Sequence, residues 1–190
     1  MFTRTHFERG RIAAEDQLQS VMQVIGDVQC PRISRLSVNL AELSPRGINE
    51  LLDLVPTGKS KNQDVERDYI YVFQIDSPRT GLQHSLASQI ERARKAKNGY
   101  CYCQVNDQHI TTHTLYVGRS KKLRTRLRQH LGDKSPRIYA MHLQRWATGN
   151  NARVSISYMM FEDRDDLLVQ AVEDGLWTYL RPLFGRKGAR

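Results

Sequence analysis

Cysteine is scarce in this chain: the 190 residues include only Cys30, Cys101 and Cys103. Three unevenly placed thiols do not make the dense, even set of a secreted disulfide framework. Reduced thiols in a cytoplasmic setting are expected, or in a nuclear one if the host has a nucleus. Long apolar runs are missing as well. None approaches the ~20 residues that span a bilayer, and residues 1–10 are too polar for a secretory signal, so the protein is expected to stay where it is made. Internal repeats and low-complexity tracts are absent, which excludes solenoids and compositionally biased tails. Negative charge is the remaining shortfall. Against 29 Lys and Arg stand only 20 Asp and Glu, a net charge of +9. Such an excess suits a polyanion, since neutralising phosphates releases condensed counterions; the bland alternative is a basic protein that is simply well solvated.

What is present belongs to a folded domain: 39% hydrophobic and 26% charged residues exclude the disordered and membrane classes. A chain of this length holds one substantial core, expected as a catalytic domain over 68–190 behind an N-terminal helical extension and linker over 1–67. Leu18, Val21, Met22, Ile25 and Val28 recur at helical spacing and predict an amphipathic helix over Ala13–Gly26. Pro45 after Ser44, followed by Ile48, Leu51, Leu52 and Leu54, predicts a second. Residues 55–67 are polar and read as the linker. Within it, Gly58-Lys59-Ser60 lacks the earlier glycine of a phosphate-binding loop, because Asp53 stands there.

At Asp68 the texture changes. Aromatic and β-branched residues predict strands over Tyr69–Ile75, Tyr100–Val105, Thr111–Val117 and Val154–Phe161, the middle two as a hairpin. Helices are predicted over Leu86–Lys97, Lys121–Leu131, Pro136–Thr148 and Asp165–Leu180. The fold class is therefore α+β, a small antiparallel sheet flanked by helices.

Two of these helices carry unusual side chains. On Lys121–Leu131, Leu123, Leu127 and Leu131 make the buried stripe, while Lys122, Arg126 and His130 make an adjacent polar one, with Ser120 placed to cap the N-terminus. Taken alone, the polar stripe reads as a solvated basic face. On the last helix, Glu173 lies among the apolar helical neighbours Val169, Leu176, Trp177 and Leu180. A carboxylate so placed needs a cation, either Arg126 or Lys122 as an ion pair or a hard divalent metal. Cys101-x-Cys103 with His109-x3-His113 offers softer, zinc-type ligands, but the spacing matches no common finger, and buried strand thiols are the alternative.

These residues also carry a family resemblance. Leu115-Tyr116-Val117-Gly118-Arg119-Ser120, followed by Leu123, Arg126, Leu127 and His130, resembles the second signature of GIY-YIG nucleases. Tyr69-Ile70-Tyr71-Val72-Phe73 resembles the first, and Glu173 with Leu176-Trp177 and Arg181-Pro182 resembles the metal-binding glutamate helix. The resemblance implies a GIY-YIG domain in which residues 76–110 are an insertion, since Tyr71 and Tyr116 stand 45 positions apart and the signatures usually lie much closer. It further implies a divalent-metal-dependent DNA endonuclease, with restriction the favoured role for a compact stand-alone chain.

In that scheme Tyr71 and Tyr116 surround the nucleophilic water, Arg126 meets the phosphate, His130 assists in proton transfer or phosphate contact, and Glu173 holds one Mg²⁺ or Mn²⁺. A free tyrosine titrates near 10, so Tyr71 serves as a base at neutral pH only if Arg126 or Lys122 favours its phenolate. Two positions depart from the pattern: Tyr69 replaces the first glycine, and Phe184-Gly185 occupies the slot where an asparagine often follows the proline. A catalytically degraded nucleic-acid-binding module of the same fold is the rival, and a metal-independent adaptor is a third possibility.

Contacts to nucleic acid are expected from Arg119 and Lys122, from the insertion helix with Arg92, Arg94, Lys95 and Lys97, and from the tail with Arg181, Arg186, Lys187 and Arg190; a solvated surface is the alternative for each. One such site cuts one strand. A double-strand break thus calls for a homodimer or two successive visits.

Overall fold

A computed structural model describes residues 3–56, 67–77, 80–132, 134–162 and 164–188. Four strands, Ser34–Asn39 (β1), Arg67–Ile75 (β2), Thr114–Ser120 (β3) and Arg153–Glu162 (β4), form one antiparallel sheet in the order β1-β4-β2-β3. Around it lie the helices Arg4–Ile25 (α1), Pro45–Asp53 (α2), Leu82–Lys95 (α3), Leu123–Leu131 (α4), Leu143–Trp146 (α5) and Asp166–Leu180 (α6). This is the α+β class that the patterning predicts. Among the described residues no helix is long and apolar enough to cross a membrane.

Strand β2 is central because its residues are apolar on both faces, which only a strand covered from both sides tolerates. Tyr69, Tyr71, Phe73 and Ile75 enter the main core together with Leu123, Leu127 and Leu131, so the predicted leucine stripe of α4 is buried. Ile70 faces the other way, into a smaller cluster with Phe161 and with Val169 of α6. The register sets Tyr71 opposite Gly118 and Phe73 opposite Tyr116.

Several elements differ from expectation. Residues 34–39 form the edge strand, paired from Ser34 against Tyr158 to Asn39 against Arg153, so the segment expected to be purely helical and linking also contributes a strand. Leu36 of β1 is buried and Val38 partly so, and two apolar positions in six residues are too short an alternation to read. Residues 100–105 are not a strand of the sheet. They make only isolated bridges, Tyr102 with Ala140 and Val105 with Phe184, and the N–H groups of Cys101 and Cys103 donate to the Pro136 and Ala140 carbonyls. The hairpin is instead β2–β3 itself, with α3 inside the long connection.

The helix expected over 136–148 shrinks to α5. His142 takes a left-handed conformation (φ 51°), which breaks any continuous helix there, and the Met141 N–H donates to a side chain, His130 Nδ1. At the other end α1 starts at Arg4 rather than Ala13, because Thr3 and His6 form a capping box. Gly58-Lys59-Ser60 and most of the expected linker lie outside the described residues.

Candidate active site

The pairing of β2 with β3 puts Tyr71 and Tyr116 on one face, their rings nearly parallel (8°) with centroids 6.1 Å apart. Two glycines make that possible. A Cβ on Gly118 would stand 2.6 Å from both the Tyr71 hydroxyl and the Tyr116 ring, and one on Gly185, whose φ is +99°, would stand 2.8 Å from the opposite edge of the Tyr116 ring. Both distances are shorter than non-bonded carbon allows, so Tyr116 fits only between bare backbones.

Helix α4 completes the cluster. With its leucines in the core, Arg126 and His130, four residues apart, are aimed at the tyrosines. Arg126 Nε donates to the Tyr71 hydroxyl at 3.3 Å, and an η nitrogen donates to the Tyr116 hydroxyl at 3.4 Å. His130 is wholly buried and accepts the Met141 N–H on Nδ1. The proton of the neutral ring therefore sits on Nε2, which lies 3.2 Å from the Tyr71 oxygen and donates to it.

Burial decides the protonation states. It pushes Tyr71 up to about 12, in spite of the opposing pull of Arg126, and the charge of Glu173 adds to the rise. Burial likewise raises Tyr116 and lowers His130 well below the usual imidazole range. Burial disfavours the Arg126 cation, but the two tyrosine oxygens more than offset this and raise its pKa. At neutral pH the cluster holds two phenols, one neutral imidazole and a single positive charge. The condition set for a Tyr71 phenolate thus fails in the free protein: Arg126 is in place, yet desolvation outweighs it, and Lys122 is an exposed residue at the start of α4.

Glu173 stands on α6, and its charge is felt at Tyr71. It is 8% exposed, and burial pushes its carboxyl up to about 7; Asp174 adds to the rise while Arg119 opposes it. Its Oε2 accepts from Gln170 at 3.1 Å. Neither Arg126 nor Lys122 forms the ion pair with Glu173 that the sequence left open, among the described residues. The carboxylate opens instead on a hollow of about 210 Å³ shared with Asp68, Arg119, Asp166 and Gln170.

Arg119 is not free to contact nucleic acid as expected. Its Nε donates to Asp68 at 2.6 Å, its η nitrogens also bond Asp68 and Asp166, and the side chain is 10% exposed. The guanidinium ties the ends of β2 and β3 to the start of α6. Asp68 escaped the sequence reading; its only signal was an acid opening an apolar run.

Among the described residues no group of three or more His, Cys, Asp or Glu side chains gathers to hold a metal. Glu173 offers one hard carboxylate to a Mg²⁺ or Mn²⁺ that would keep most of its water, whereas the Asp68 oxygens on the same hollow are taken by Arg119 and the Tyr69 N–H. The zinc-type set is dispersed: Cys101 and His113 are exposed, whereas Cys103 and His109 are buried, with His109 Nδ1 against the Pro182 carbonyl.

The remaining basic residues are spread over the surface. Arg92 and Lys95 line a separate groove of about 570 Å³ with His84, Glu91 and Asp107. Arg94 pairs with Glu91, and Lys97 and Lys187 are exposed. Arg186 lies over the Tyr139 ring at 5.7 Å and donates to Gln104. Arg181 ends α6 in a left-handed conformation, and Arg190 is outside the described residues. Ser120 does not cap α4; its Oγ accepts from the Lys122 N–H, before the helix begins. Asn106, also missed, donates from its amide to the Pro182 and Gly185 carbonyls at 2.9 and 3.1 Å and so holds the backbone that flanks Tyr116. Compared with known proteins, the chain matches no protein-family model, no curated protein and no solved structure.

Proposed function

We propose that this chain is a divalent-metal-dependent DNA endonuclease of GIY-YIG type, cutting specific sites as restriction enzymes do, in a cytoplasmic setting consistent with its free cysteines. One observation carries the proposal: side chains from β2, β3 and α4 converge so that a single guanidinium serves two phenols, and a buried carboxyl on α6 is near enough for its charge to act on Tyr71. Buried titratable groups with strongly shifted pKa values, gathered from distant parts of a chain, mark candidate sites of chemistry.

Phosphodiester hydrolysis needs an oriented water, charge stabilisation on the pentavalent phosphate and relief of charge on the leaving oxygen. Arg126 supplies a permanent cation next to the tyrosines and meets the phosphate. The Tyr71 oxygen already receives donors from Arg126 and His130, so its own proton points to a further acceptor, and Tyr71 orients the attacking water as a donor. Tyr116 steadies Arg126. His130, buried and neutral, positions Tyr71 and does not itself reach phosphate. Glu173 would hold the cation, and a Mg²⁺ or Mn²⁺ bound there would supply Lewis acidity for the leaving oxygen.

The test is nicking of supercoiled plasmid with Mg²⁺, Mn²⁺ or EDTA by wild type, Arg126→Ala and Glu173→Gln, followed by mapping of the ends. Metal-dependent cutting at one palindrome, lost in both variants, is expected. Tight DNA binding with no cutting by wild type would instead identify a binding module that uses the same fold.

A further inference from the structure

Helix α1 has no buried residue in its 22, yet it carries an apolar stripe interrupted only at Arg11. Phe7, Arg11, Ala14, Leu18, Val21 and Ile25 follow at intervals alternating four and three, and Val28 continues the series just beyond the helix. A strict four-three seam is the narrow line that matches a partner helix, whereas packing on a sheet uses a wider face. The seam is open along most of its length: Phe7 is 58% exposed, Leu18 63% and Ile25 38%, with Met22 on the flank at 74%. Among the described residues the chain covers only one end, where α1 meets α6 and Val28 packs on the cluster of Ile70, Phe161 and Val169. That contact anchors α1 to the core and leaves a helix roughly 33 Å long, marginal on its own, projecting its seam outward.

Charge selects the occupant. Arg4, Arg9 and Arg11 are balanced by Glu8, Glu15 and Asp16, so α1 is neutral in a chain of net charge +9. Two such chains repel over most of their surfaces but not here, and a neutral apolar line has nothing to offer a polyanion. Arg11, the one charged residue in the seam, is already paired with Glu8 at 3.2 Å and with Glu15 on its own helix, so a facing helix does not confront a bare guanidinium.

We propose that α1 pairs with the α1 of a second copy as a two-helix coiled coil, making this chain a homodimer whose two cores are held at a fixed separation. Self-association of this kind does not depend on whether the chain cuts DNA.

Sedimentation equilibrium of the full chain over a micromolar concentration series tests it. Wild type is expected at twice the 22.0 kDa chain mass. Leu18→Asp combined with Ile25→Asp is expected at the single-chain mass with an unchanged near-ultraviolet circular dichroism spectrum, since neither side chain is buried in the core. Tyr179→Asp, on the exposed face of α6, is expected to remain dimeric. A wild type at 22.0 kDa throughout, a double variant that stays dimeric, or dissociation by Tyr179→Asp would each overturn the proposal.

Discussion

Arg126 Nε reaches the Tyr71 hydroxyl at 3.3 Å while the same guanidinium reaches Tyr116 at 3.4 Å, so one cation is shared by two phenols on adjacent strands. A planar fork can do this and a point charge cannot. Arg126→Lys is therefore expected to fall close to Arg126→Ala, with cutting rates about 10²- to 10³-fold below wild type, the usual cost of losing one preorganised charge-stabilising group. Single-turnover plasmid nicking at saturating metal measures it, and a lysine variant within a fewfold of wild type would contradict the shared-fork role.

Glu173 links pH to stability and to the proposed metal binding. Its folded pKa of about 7 lies above the ordinary 4.5, so between those values the folded state holds the extra proton. Stability therefore falls as pH rises from 4.5 to 7, and the cost of the buried charge is complete above 7. Glu173→Gln removes that cost: it is expected to be more stable than wild type at pH 8, by at most about 3 kcal/mol from roughly 1.4 kcal/mol per unit, with the difference gone by pH 4.5. Denaturant melts at a series of pH values check the sign. Adding Mg²⁺ at pH 8 should raise the wild-type midpoint and leave that of the glutamine variant unmoved.

The Arg119 guanidinium is held by Asp68 and Asp166, so an architectural role competes with the expected phosphate contact. A residue that is 10% exposed and bonded to Asp68 and Asp166 contributes to architecture, and Arg119→Ala leaves Asp68, itself 10% exposed in its side chain, without its cation. Breaking a buried pair from one side costs roughly 3 kcal/mol or more. Urea unfolding should show that loss, while the salt dependence of DNA affinity should keep its slope, because no phosphate contact has gone. A reduced slope with unchanged stability would restore the DNA-contact reading.

How much of this was legible follows from the range of each interaction. The leucine stripe of α4, and with it the direction of Arg126 and His130, is local periodicity and could be read directly. The desolvation of Glu173 could be read the same way, from its helical neighbours, but the hollow it opens on could not. Arg119 meets Asp68 across 51 positions and Asn106 meets Gly185 across 79, and no local pattern encodes such pairings. Residues 100–105 have strand-like composition but spend it on burying Tyr102 and Cys103 against the 136–140 loop, so propensity yielded to tertiary packing there.

Gly118 and Gly185 bracket Tyr116, and each should resist even a methyl group. Gly185→Ala combines a left-handed backbone with a Cβ 2.8 Å from the ring; Gly118→Ala meets the Tyr71 hydroxyl at 2.6 Å. Each is expected to cost about 1–3 kcal/mol from overpacking or strain and to depress cutting well beyond that loss, since both tyrosines must shift. Thermal melts with activity measured below the transition separate the two effects, and an alanine variant of full activity would show that the ring positions are immaterial.

Arg92 and Lys95 of α3 line an open groove with Glu91 and Asp107, and in the proposed nuclease they would set cations against phosphate rather than a base edge. Replacing both by alanine is expected to weaken binding to all DNA sequences alike and to lower the slope of log affinity against log salt by about 2, one per lost phosphate contact. The cleavage pattern on a mapped plasmid should be unchanged. If the cut sites change instead, α3 reads bases, and specificity resides in the connection between β2 and β3 rather than elsewhere in the chain.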